Sequence, residues 1–136
     1  MNDKPTLDTN ILIYAFGHQD DERKQTAKEI IIKCNIISLQ VMNECVYVLL
    51  KKFKFPMNEV EKVVSFLKQK FVISDLNIQT LDQTIRISTQ YGFSFWDSMM
   101  IAAALDNHCS IIYTEDLTNN QLIENRFRII NPFKQK

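Results

Sequence analysis

With 136 residues, 46% of them hydrophobic and 24% charged, the chain has the length and composition of one globular domain, which needs neither disulfides nor metal to complete a core. Its 16 Lys and Arg balance 16 Asp and Glu, which rules out a protein that grips nucleic acid by bulk positive charge and leaves room for a local basic groove. The two glycines, Gly17 and Gly92, lie too far apart to write a P-loop or a dinucleotide-binding fingerprint, which argues against nucleotide chemistry of those kinds.

The N-terminal Met-Asn-Asp-Lys-Pro carries no signal-peptide pattern, and no apolar stretch is long enough to span a bilayer. The reading is a cytoplasmic protein with no membrane partner. Thr6 to Tyr14 is mostly apolar and β-branched and predicts a strand, interrupted by Asp8, Thr9 and Asn10. Ala27, Ile30 and Ile31 fall at helical spacing within 20–33, with Asp20, Asp21 and Glu22 suited to the first turn. Ile36-Ile37-Ser38 reads as a short strand. Met42, Cys45, Val46, Leu49 and Phe53 form a helical stripe over 40–53, followed by Lys51, Lys52 and Lys54 at its C-terminal end. Pro56 stops that helix, and Asn58 is the expected cap of the next, over 59–70. Phe71-Val72-Ile73 predicts a strand, 81–91 a helix ended by Gly92, 95–107 a buried helix, 110–114 a strand and 127–130 a last one. Strands alternating with helices predict an α/β fold with a parallel sheet covered on both faces, in one domain over 1–136. Cys34, Cys45 and Cys109 have no metal or redox spacing and read as small buried hydrophobes. His18 and His108 are isolated and read as surface or helix-end residues.

Four acids stand where acids are unfavourable. Asp8 sits at the first strand, Glu44 within an apolar helix, Asp97 at the start of the buried helix, and Asp116 after the strand Ile111–Thr114. Burying a carboxylate without a partner costs several kcal/mol, on the order of a whole protein's margin of stability. Either each acid has a private partner or they share a cation. The private readings are specific: an Asx turn for Asp8, a capping box of Ser94 with Asp97, a turn at Asp116, and water at the edge of the stripe for Glu44. The shared reading rests on topology, because parallel strands bring their following loops to one sheet edge. Carboxylates without histidine or thiolate are a donor set for Mg²⁺ or Mn²⁺, which suits phosphodiester hydrolysis. Crowding them should raise one or more of their pKa values in the metal-free protein.

Leu7-Asp8-Thr9-Asn10-Ile11-Leu12, Ile37 to Glu44, Phe93-Ser94-Phe95-Trp96-Asp97 with Ala102-Ala103-Ala104, Tyr113-Thr114-Glu115-Asp116-Leu117 and Ile129-Ile130-Asn131-Pro132-Phe133 follow one another along the chain. These blocks, in order, resemble the PIN-domain ribonucleases found as toxins in bacterial and archaeal VapBC toxin–antitoxin pairs. The resemblance implies a three-layer PIN-like fold with a central, mostly parallel sheet flanked by helices. It also implies Mg²⁺- or Mn²⁺-dependent RNA cleavage by Asp8, Glu44, Asp97 and Asp116. Thr9, Asn10 and Thr114 would then orient carboxylates or water, and an RNA substrate, a small antitoxin protein and a homodimer would be the partners. Glu115 competes with Asp116 for the fourth place; neighbours on a strand face opposite ways, and Asp116 is favoured. Lys51, Lys52, Lys54, Arg126 and Arg128 are candidates for a basic rim that meets RNA phosphate. Val60, Val63, Val64 and Leu67 are either an interface or core.

Three other readings stand beside this one. A haloacid-dehalogenase-like phosphohydrolase would need a second Asp where the chain has Asn10, and a response-regulator receiver would need an Asp after the strand at Ile36-Ile37. A PIN fold that binds RNA or protein without cutting is the third.

Overall fold

Short apolar triplets alternate with amphipathic helices along the chain, and the computed structural model, which describes residues 3–17 and 21–133, turns that alternation into a covered sheet. His18 and Asp20 lie outside the described residues. The strands are β1 (Pro5–Leu7), β2 (Ile36–Ser38), β3 (Val72–Ser74), β4 (Ile111–Tyr113), β5 (Leu122–Ile123) and β6 (Phe127–Ile130). The helices are α1 (Thr9–Phe16), α2 (Arg23–Lys33), α3 (Leu39–Lys51), α4 (Met57–Lys70), α5 (Ile78–Tyr91) and α6 (Phe95–Asp106). One ladder runs β1-β4-β6-β5 and a second pairs β2 with β3; every pairing is parallel except β5 with β6. The α/β class and the mostly parallel, helix-flanked sheet expected from the sequence are therefore present.

The two ladders are joined by a side chain. The buried Thr6 hydroxyl on β1 donates to the Ile36 carbonyl on β2 at 2.7 Å, supplying across the seam the kind of bond that backbone supplies elsewhere. Behind the sheet lies one cluster of buried side chains, including Leu7, Ile11, Leu12, Ile37, Leu49, Leu67, Ile87, Ile101, Ile112 and Phe127. Val60, Val63 and Leu67 of α4 belong to it and Val64 packs against it, so these residues are core. Cys34, Cys45 and Cys109 are buried free thiols, and burial pushes Cys34 and Cys45 up to about 12. His108 is exposed just past α6, at a positive φ of 59°. Among the described residues no helix is long and apolar enough to cross a membrane.

Several local expectations are corrected. The strand begun at Thr6 ends at Leu7, and Ile11-Leu12-Ile13 is helical. Asp8 stops the strand by turning its carboxylate onto the Thr9 N–H, and the β-branched residues that follow signal burial rather than strand: Ile11 and Leu12 are fully buried. Asn58 does not cap α4; Pro56 stands at that cap and the helix starts at Met57. α5 begins at Ile78, earlier than expected, because Asn77 and Thr80 form a capping box. β5 was not foreseen. It is two residues long and folds back on β6 through a turn in which Glu124 and Asn125 both take positive φ. Ser94 does cap α6, accepting from the Asp97 N–H at 3.1 Å, but the Asp97 carboxylate does not return the bond, so the expected box is only half formed.

Thr6→Val keeps shape and removes the hydroxyl that bonds across the seam. It should cost roughly 1–3 kcal/mol of stability, read as a lower urea midpoint at unchanged m-value; an unchanged midpoint would show that the seam does not depend on this bond.

Candidate active site

Register places the first pair of site residues. Leu7 on β1 lies opposite Tyr113 on β4, so the next residues, Asp8 and Thr114, emerge side by side at the C-terminal edge of two parallel strands. The ladder itself reaches them: Asp8 N–H donates to the Tyr113 carbonyl at 2.9 Å, and Thr114 N–H to the Ile130 carbonyl at 3.0 Å. Asp8 is 7% exposed and Thr114 fully buried. The Thr114 hydroxyl uses its whole capacity here. It donates to Asp8 Oδ2 at 2.8 Å and accepts from the Asp116 N–H at 3.1 Å and from Asn10 Nδ2 at 3.3 Å. Asp8 Oδ1 accepts from the Thr9 N–H at 2.6 Å, at the N-terminus of α1, where the helix dipole favours negative charge.

Asn10, the second residue of α1, fastens the second acid to the first. Its Nδ2 donates to Asp116 Oδ2 at 3.0 Å and reaches Asp8 Oδ2 at 3.4 Å. Because carboxylates only accept, this fixes the amide's orientation, and its Oδ1 is left buried with no partner. Glu44 arrives on α3, whose start is fixed by Ser38 at the end of β2, where Ser38 Oγ accepts from the Val41 N–H at 3.3 Å. Thr9 Oγ1 lies 3.3 Å from Glu44 Oε2 and 3.3 Å from the Val41 carbonyl; its single proton serves one of them at a time. Gln40 Nε2 donates to Glu44 Oε1 at 3.2 Å and to the Trp96 carbonyl at 3.0 Å, tying the first turn of α3 to that of α6, where Asp97 sits.

All four sequence-predicted acids line one cleft, with Thr9, Asn10, Ile13, Tyr14, Val48, Lys52, Phe53 and Glu115. The argument from burial holds for Asp8 alone. Glu44 and Asp116 are exposed to the cleft and Asp97 is half-buried, because α3 buries only one face and leaves Glu44 on another. What brings the acids together is convergence of four elements, not shared desolvation. Glu115 lines the cleft too but is held differently: Tyr14 OH donates to its Oε1, and Arg23, lying 4.7 Å over the Tyr14 ring, pairs with its Oε2 at 3.6 Å. Of the expected basic rim only Lys52 lines the cleft. Arg126 pairs with Glu124 at 3.8 Å and Arg128 donates to the Asn120 carbonyl at 2.8 Å. Gln40 and Tyr14 went unnoticed in the sequence. Gln40 has a signal, an amide four residues before a carboxylate on one helix. Tyr14, 101 residues from its partner Glu115, has none.

The donor set suits a hard cation. It is all oxygen, the carboxylates of Asp8, Glu44, Asp97 and Asp116 on one cleft. Among the described residues no three His, Cys, Asp or Glu are grouped so as to hold one ion.

Burial raises the Asp8 carboxyl to about 6, with the Asp116 and Glu44 charges adding and the Thr114 and Thr9 hydrogen bonds offsetting. Crowding, the cause expected from the sequence, is thus secondary to desolvation. Between the ordinary value of 3.8 and about 6 the native state keeps a proton that the unfolded chain has released. Native stability therefore falls as pH rises through that window, and above it the loss amounts to roughly 3 kcal/mol. In EDTA, Asp8→Asn should flatten the dependence of stability on pH between 4 and 7. A variant with the wild-type slope would contradict the assignment of that titration to Asp8.

The model of the PIN domain family matches residues 6–121. No curated protein matches the chain. Among solved structures, the chain is similar to a toxin–antitoxin complex from Klebsiella pneumoniae, with a TM-score of 0.71 at 19% identity over 97% of this chain and 99% of that one. The DNA-bound VapBC of Salmonella typhimurium gives 0.68 at 20% identity over 94% and 97% of the two chains. The Mycobacterium tuberculosis toxin VapC20, which cleaves the sarcin–ricin loop, gives 0.68 at 14% identity over 83% and 92%. The family match takes in Asp8, Glu44, Asp97, Thr114 and Asp116 and all six helices, and the chain belongs to the PIN domain family.

Proposed function

We propose that the protein is a divalent-metal-dependent endoribonuclease acting as the toxin of a toxin–antitoxin pair. The observation that carries the reading is the meeting of Asp8, Glu44, Asp97 and Asp116, from four separate elements, on one cleft at the C-terminal edge of the sheet. Asp8 and Asp116, linked through Asn10 and Thr114, would hold Mg²⁺ or Mn²⁺, with Glu44 and Asp97 facing it from the helices. When bound, the ion lowers the pKa of a water and offsets charge on the phosphate. The chain's own work is to orient. Thr114 and the Thr9 N–H keep Asp8 in place, Asn10 sets Asp116 beside it, and Thr9 with Gln40 turns Glu44 toward the cleft. An antitoxin partner is supported by relatives that are toxin–antitoxin complexes. A homodimer belongs to the same proposal.

A PIN fold that binds RNA without cutting it is the second reading, favoured by the absence, among the described residues, of three acids grouped around one point. Labelled single-stranded RNA separates the two. Cleavage should require Mg²⁺ or Mn²⁺ and stop in EDTA. Asp8→Asn and Asp116→Asn should each lower the rate at least a hundredfold, on the order of 3 kcal/mol of barrier, with RNA binding retained. Binding without metal-dependent cleavage would establish the second reading instead.

A further inference from the structure

Five carboxylates line the cleft, those of Asp8, Glu44, Asp97, Glu115 and Asp116, against a single cationic side chain among the described residues, Lys52. Glu115 is engaged by Tyr14 and Arg23. Lys52 forms no ion pair among the described residues, although it shares the cleft with all of these acids. A lysine that lines the cleft at a distance from its carboxylates and pairs with none of them is placed for an anion that comes from outside.

Its position is defined by the helix. Glu44, Val48 and Lys52 follow one another at steps of four, so one face of α3 and its cap forms a wall of the cleft. Eight residues of helix put Lys52 about 12 Å along the axis from Glu44. It is also anchored. Lys52 is the C-cap of α3, its N–H donating to the Val48 carbonyl at 2.8 Å, and its ammonium lies 5.7 Å over the Phe53 ring. Phe53 in turn rests against Gly17 at the end of α1. A Cβ there would meet the Ile13 carbonyl oxygen at 2.7 Å and the Phe53 ring at 3.4 Å, so glycine gives the ring its seat.

Resting on the ribonuclease reading, we infer that Lys52 is a substrate-binding residue that contacts an RNA phosphate neighbouring the one that is cut, and so sets the direction in which the strand leaves the acidic end of the cleft along α3. Such a contact carries charge and no base identity, so it strengthens binding equally across sequences. Lys51 and Lys54 do not line the cleft and serve as internal controls.

The test is the salt dependence of binding of a uridine 12-mer to the full chain, measured by fluorescence anisotropy in EDTA, together with steady-state cleavage in Mg²⁺. Lys52→Gln should weaken binding at low salt and reduce the slope of log affinity against log salt by about 0.7, the loss of one phosphate contact on a single strand. Lys52→Arg should keep the slope and Lys51→Gln should not change it. In cleavage, Lys52→Gln should raise KM with kcat nearly unchanged. A Lys52→Gln slope equal to that of the wild type, in a chain that still binds and cuts RNA, would overturn the assignment and leave the ribonuclease reading standing. A slope that depends on Lys52 in a chain that never cuts would support the phosphate contact and contradict the nuclease. A wild-type chain that neither binds RNA nor cuts it in Mg²⁺ would overturn both.

Discussion

A carboxylate that is 7% exposed has to be solvated by the protein, and the arrangement around Asp8 follows from that requirement. Water cannot supply the donors, so the Thr114 hydroxyl, the Thr9 N–H and the Asn10 amide do. These donors are delivered by two pieces of secondary structure, the end of β4 and the start of α1. Thr114 is there because β1 and β4 run parallel with Leu7 opposite Tyr113, and Thr9 and Asn10 are there because α1 starts immediately after the strand. The same side chains then reach outward, Asn10 and Thr114 to Asp116 and Thr9 to Glu44, so the solvation of one buried acid positions two exposed ones.

That solvation is incomplete. Burial still holds the Asp8 carboxyl near 6, and the Asn10 carbonyl oxygen is buried without a donor. A divalent cation beside the carboxylate would favour its ionised form and offset that burial. Asp8 therefore carries a desolvation cost in the folded chain, the kind of cost that is ordinarily kept at a functional position.

Much of this was legible in the sequence because the chain places its polar residues against strong local patterns. Asp8, interrupting a β-branched run, and Asp116, following Ile111-Ile112-Tyr113, stand out without any structure. The parallel α/β class followed from alternation alone. What could not be read is whatever depends on long-range register or on which face of a helix is covered. Ile11-Leu12-Ile13 has strand composition and is helical because α1 is buried, so its β-branched residues report burial and not backbone. Glu44 looked buried among Val41, Tyr47 and Val48, yet Tyr47 is 63% exposed, and that side of α3 faces open space. β5 was too short to register, and its antiparallel course depends on a turn with two residues at positive φ. The choice between Glu115 and Asp116 was not readable from alternation, because β4 ends at Tyr113 and both residues line the cleft; what separates them is that Glu115 has its own partners in Tyr14 and Arg23.

The central claim is that Asp8 and Asp116, bridged by Asn10, act as one cation-binding unit from which Glu115 is excluded. Titration of Mn²⁺ into the RNA-free protein, followed by loss of the free-ion electron paramagnetic resonance signal, measures this directly. The wild type should show saturable binding that Asp8→Asn and Asp116→Asn each abolish and that Glu115→Gln leaves within about twofold. Absence of Mn²⁺ binding by the wild type, or a loss in Glu115→Gln equal to that in Asp116→Asn, would contradict the account.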